Sequence, residues 1–138
     1  MSVTRVLLNI AGFFALLDGC LGVSSPDVSK RLMLAVIERF HITILRILTF
    51  LWGMICAIIF YGAVTSGLVE RFFGDYLLIF GSALFAIFYI LLALTIPRDL
   101  KDSGLVRHIL ELPDSRYRLY GVGTVSLGIF LVFNSVRY

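Results

Sequence analysis

The chain has 138 residues, 59% of them apolar and 15% charged, with a mean hydropathy of +0.98. Soluble domains carry about a quarter charged residues and a smaller apolar share, so an ordinary water-soluble fold is excluded and one membrane domain over residues 1–138 is expected. The formal charge of +3 does not point to nucleic acid, because the basic residues lie between apolar runs, where they meet lipid headgroups.

A membrane-crossing helix needs roughly 20 predominantly apolar residues, and four segments qualify. The first runs from Val6 to Val23 and is interrupted by Asn9 and Asp18. It ends in Leu17-Asp18-Gly19-Cys20, the outline of a lipoprotein cleavage box, but an acidic residue before the Gly-Cys pair speaks against cleavage. The second, Ile42 to Val69, carries Arg46 near its start; the third, Tyr76 to Ile96, and the fourth, Leu119 to Val136, carry no charge. Tyr117, Tyr120, Arg137 and Tyr138 flank the fourth as interfacial anchors.

The connections between these spans are unequal. Ser24 to His41 holds Lys30, Arg31 and Arg39; Pro97 to Arg118 holds Arg98, Lys101, Arg107, Arg116 and Arg118; the short central turn, Glu70 to Asp75, holds a single Arg. By the positive-inside rule the two long connections are cytoplasmic, with both termini and the central turn outside. Apolar residues recur at helical spacing within them, Val28, Leu32, Val36, Ile37 and Phe40 in one and Leu105, Ile109, Leu110 and Leu112 in the other. Each predicts a short amphipathic helix along the membrane surface. The expected fold is therefore all-α and integral to the membrane, a four-transmembrane-helix bundle made from two tandem helical hairpins with amphipathic surface helices in the long connections.

The tandem arrangement rests on a repeat of about 72 residues. An apolar span, Pro26 or Pro97, an amphipathic stretch with Glu38 or Glu111, and then Arg46 or Arg118 at the next span recur in the two halves, about 1–72 and 73–138. Two crossings per unit give both copies the same orientation and a pseudo-two-fold axis along the membrane normal. The order Leu17-Asp18-Gly19 with Pro26, and Leu112-Pro113-Asp114 with Arg118 and Gly121, resembles the YjeT-like family of small bacterial inner-membrane proteins. The first repeat keeps the front of that pattern and the second the back. The resemblance implies bacterial inner-membrane hairpins without assigned chemistry.

Ionisable groups inside a span are costly and are functional candidates by default. Asp18 and Arg46 lie at similar depth, roughly 6 to 8 Å inside the cytoplasmic interface at 1.5 Å per residue, and are placed to pair across the first hairpin. Tyr89 and Arg118 occupy the equivalent positions in the second. Structural pairing is the preferred reading of these four residues, and a substrate or proton site near Asp18 and Arg46 is the alternative. His41 and His108 read as interfacial histidines rather than haem or metal ligands, and Cys20 and Cys56 as apolar packing residues.

No nucleophile with a base, phosphate loop or Cys/His cluster occurs in the sequence, so no enzyme, cofactor or metal centre is expected. Small residues four apart, Ser82 with Ala86, Gly62 with Ser66 and Thr124 with Gly128, allow close helix approach. The expected partners are the lipid bilayer and either other membrane-protein subunits or a second copy. The expected function is that of an accessory, assembly or scaffold subunit of a larger membrane complex, with a small transporter or lipid-binding protein as the alternative.

Overall fold

A computed structural model describes residues 2–66, 70–96 and 104–138. Among these residues the structure is all-helical: α1 (Val3–Ser24), α2 (Pro26–Arg39), α3 (Ile42–Val64), α4 (Phe73–Thr95), α5 (Gly104–Glu111) and α6 (Asp114–Ser135). Val69, at the expected end of the second span, lies outside the described residues, as do Pro97, Arg98, Lys101 and the side chain of Leu105.

The helix ends follow local chemistry. Ser2 caps α1 by accepting from the Arg5 N–H, and His41 caps α3 by accepting from the Thr43 N–H through Nδ1. His41 is thus a capping residue. Pro26 opens α2, where its missing N–H costs nothing. At the start of α4 the Asp75 carboxylate takes the Phe72 N–H at 2.9 Å, which satisfies one orphan donor of the first turn.

α1, α3 and α4 are each long and apolar enough to cross a membrane. The 23-residue helices α3 and α4 reach about 34 Å at 1.5 Å per residue. α6 has the length, 22 residues, but not that apolar character: it begins with Asp114, Arg116 and Arg118 and ends with Asn134 and Ser135.

Two close antiparallel pairs form the body, α1 with α6 and α3 with α4. Glycine is the reason the first pair is so close. A Cβ added at Gly19 would meet the Gly121 carbonyl and the Val125 nitrogen at 2.7 Å, and one at Gly12 the Gly128 carbonyl at 3.0 Å. These neighbours are backbone, so the helices approach almost to main-chain contact. In α3 and α4, Gly53 lies against Ala86 and Ile90 in the same crossing register.

This pairing revises the expected hairpin contacts. The chain folds so that each long helix takes its closest neighbour from the other half of the sequence, while α1 with α3 and α4 with α6 are lighter contacts. α1 meets α3 where Gly62 faces Thr4 and where the Phe14 and Trp52 rings stand edge to face at 5.9 Å. α4 meets α6 near Gly74, which faces Phe130 and Asn134.

The buried core lies toward the end that carries the termini. Leu8, Ile59, Ala63 and Leu78 are nearly or fully inaccessible there, backed by Leu7, Ile55, Phe130 and Leu131. At the other end, α2 is tied to the α5–α6 junction: Ser29 and Tyr117 share a 2.7 Å hydrogen bond, and the Lys30 ammonium donates to the Leu112 carbonyl at 2.7 Å. Val28, Leu32 and Val36 on α2 and Phe40 at its carboxyl cap remain exposed. Val106 on α5 and Leu112 just after it are buried.

Candidate functional site

Between the two helix pairs lies a groove of about 1350 Å³. α1 contributes Phe14, Ala15 and Asp18; α3 contributes Trp52, Cys56 and Ile59; α4 contributes Leu78, Gly81, Phe85 and Tyr89. α5 adds His108, the α5–α6 junction Leu112, and α6 Arg116, Tyr120, Gly123, Thr124 and Phe130. Its floor is the buried core, since Ile59, Leu78, Phe130 and Leu131 belong to both.

The walls are apolar for most of their length, and the polar groups gather toward the α2/α5 end. Helical spacing sets this layout: Phe14 and Asp18, Trp52 and Cys56, and Phe85 and Tyr89 are i, i+4 pairs, each placing two side chains on one helix face. The Phe85 and Tyr89 rings stack at 6.1 Å. Cβ atoms added at Gly81 or Gly123 would meet nothing within 4 Å.

Of the four residues expected to form pairs, the structure brings Asp18 and Tyr89 together in this groove and places Arg46 and Arg118 elsewhere. The expected Asp18–Arg46 pair is not formed: Arg46 donates to the Ile96 carbonyl at 2.7 Å, on the carboxyl end of α4. The reason is the helix pairing. α3 has α4 as its close neighbour, so Arg46 meets the unsatisfied carbonyls of that helix end, a favourable seat for a cation. Asp18, on α1, faces the groove. Arg118 is exposed in the first turns of α6 and does not contact Tyr89 among the described residues. Both cysteines are free thiols, Cys20 exposed and Cys56 half-buried on the groove wall.

A second polar cluster, at the opposite end, was not expected as a unit. Asp75 is fully buried, and its carboxylate pairs with the Arg137 guanidinium, accepts from the Phe72 N–H and accepts from the Tyr138 hydroxyl at 3.2 Å. Arg137 also donates to the Glu70 carbonyl at 3.0 Å and lies over the Phe72 ring at 4.6 Å. Ser2 Oγ donates to the Tyr138 carbonyl at 2.8 Å, and Ser135 Oγ to Asn9 Oδ1 at 2.9 Å. Arg137 and Tyr138 are therefore part of a lock between the chain ends and the α3–α4 turn. Burial, followed by the Asp75 charge, pushes the Tyr138 hydroxyl above its ordinary value near 10. The signal for this lock was a carboxylate three residues inside a helix start and an Arg-Tyr pair after a helix end, each unremarkable alone.

The chain matches no protein-family model, no curated protein and no solved structure. Its reading therefore rests on its own residues.

Proposed function

We propose that this protein is a non-enzymatic membrane bundle that holds the apolar body of a lipid-like molecule in the groove between its two helix pairs. The single observation that carries the reading is the groove itself: about 1350 Å³, walled by all four long helices, apolar along its length and polar at one end. That volume exceeds the roughly 300–1,000 Å³ of ordinary small-ligand pockets and suits a chain-bearing amphiphile.

In this reading α6 is a fourth span. It lies antiparallel along α1 through Gly12, Gly19, Gly121 and Gly128, and its polar side chains are turned inward or bonded to its own helix: Thr124 and Ser126 donate to carbonyls four residues back, and Asn134 to that of Phe130. The basic connections containing α2 and α5 face the cytoplasm of a bacterial inner membrane, and the Asp75 lock faces outside. The tandem duplication is supported by the exchange of the two close pairs when each half is set on the other.

The second reading, an accessory or scaffold subunit, is favoured by the large apolar side chains exposed around the outside, Phe73, Phe80, Leu84, Leu94 and Phe133 among them. Lipid alone satisfies such a surface, so the groove carries more weight.

The test is native mass spectrometry of the protein released from its own membrane in mild detergent, beside Gly123→Leu, whose side chain enters the groove. The lipid-like reading expects a bound amphiphile that wild type retains and Gly123→Leu loses. Ligand-free wild type co-purifying stoichiometrically with other membrane subunits would replace it with the accessory reading.

A further inference from the structure

Resting on the groove reading above, we infer that the polar end of the groove is a cation site, selecting amphiphiles with a positively charged head through Asp18 and the aromatic rings beside it. Asp18 lines the groove with no hydrogen bond or ion pair among the described residues. A carboxylate has only acceptors to offer, and Asp18 is exposed on the groove wall, where a ligand can reach it.

What surrounds it is aromatic. Phe14 lies one turn before it on the same helix, Trp52 stands edge to face with Phe14 at 5.9 Å, and Phe85 and Tyr89 stack at 6.1 Å on the facing wall. Aromatic faces attract a cation within about 6 Å of the ring centroid, and more strongly when the site is desolvated. A carboxylate that shares a groove with such faces suits an alkylammonium head, whose methyl groups pack on the rings while its charge meets Asp18. Anionic heads are disfavoured by the same geometry, since carboxylate and ring faces both repel them.

The cations that share the groove are displaced from this point. The α1/α6 register, in which Gly19 meets Gly121 and Val125, sets Asp18 near Thr124. Arg116 lies eight residues further toward the α2/α5 end, roughly 12 Å along the axis at 1.5 Å per residue. His108, also on the groove lining, is carried by α5 and not by a long helix. Arg46, the cation that could have neutralised Asp18 from the next helix, is engaged at the Ile96 carbonyl.

Trp52 is the single tryptophan and lines the groove, so its emission reports occupancy. The experiment titrates the full chain in nanodiscs with dodecyltrimethylammonium, uncharged dodecylglycerol and dodecyl sulfate, for wild type, Asp18→Asn and Asp18→Glu. The expected result is saturable binding of the ammonium compound at least tenfold tighter than of the neutral one, lost in Asp18→Asn and largely restored in Asp18→Glu. Dodecyl sulfate is expected to bind weakest. Equal affinity for the charged and neutral compounds, or an Asp18→Asn protein that keeps the preference, overturns the cation site while leaving the groove reading standing. Absence of saturable binding by any of the three overturns both. The thermal melt of each variant, followed by circular dichroism, shows that the compared proteins are folded.

Discussion

At the end that carries the termini, a buried carboxylate, a guanidinium, a phenol and a serine tie α1, the start of α4 and the end of α6 together above a packed core of Leu8, Ile59, Ala63 and Leu78. At the other end the same four helices leave a groove, and the surface helices α2 and α5 take up the space between their ends. With Pro26 and Pro97 in register, Phe85 stands where the first half has Phe14, but Gly123 and Thr124 stand where it has Trp52 and Gly53. The Phe14–Trp52 contact that closes α1 against α3 has no counterpart between α4 and α6.

Breaking the sealed end has the largest expected effect. Asp75→Ala leaves the Arg137 guanidinium without its anion and the Phe72 N–H without its acceptor. Removing one partner of a buried pair costs about 3–5 kcal/mol, and partial exposure of Arg137, 27%, puts this protein toward the lower figure. Unfolding in graded denaturing detergent, followed by circular dichroism, measures it.

Next comes the α1/α6 seam. Gly19→Val drives a branched side chain into the Gly121 carbonyl and the Val125 nitrogen, which yield only if the helices separate. Overpacking of this kind costs about 1–3 kcal/mol, whereas Gly81→Ala, with open space at its Cβ, is expected to leave stability unchanged or raise it. The contrast between the two glycines in one melting series sharpens the distinction between seam and groove.

Arg46→Ala removes the bond to the Ile96 carbonyl, and a loss of about 1 kcal/mol is expected. Asp18→Asn is expected to cost less than that, because Arg46 does not depend on Asp18; equal losses in the two variants, with no further loss in the double variant, would restore the pair that the helix arrangement excludes.

The smallest effect is in alkali. The Tyr138 hydroxyl holds its proton more tightly in the folded protein, so its contribution to stability is fully present below pH 10 and is lost as pH rises through the higher folded value. Tyr138→Phe should flatten the fall in melting temperature above pH 10.

The apolar runs, the interrupting basic connections and the amphipathic spacing of α2 were legible in the chain because they follow directly from hydropathy and period. The partners of the long helices were not. Periodicity says which face is apolar, not which helix it meets, and so Asp18 and Arg46 were matched by depth alone. The seven-residue spacing shared by Gly12 with Gly19 and Gly121 with Gly128 is the sequence signal of the α1/α6 pair, and small residues four apart do not carry it. Tyr89 was singled out as the counterpart of Asp18, but its place facing that carboxylate depends on the seam between halves. Asp75 was hidden because it sits next to a short turn, where a carboxylate ordinarily meets water.

Occupation of the open groove by lipid-like chains is read out by Trp52, the single tryptophan, which lines it. Its fluorescence is to be compared, in nanodiscs of brominated-chain and ordinary lipid, between wild type and Gly123→Leu. The account predicts strong quenching by brominated chains in wild type and marked relief when the leucine fills the groove. Equal quenching in both proteins, with the variant folded, would contradict it.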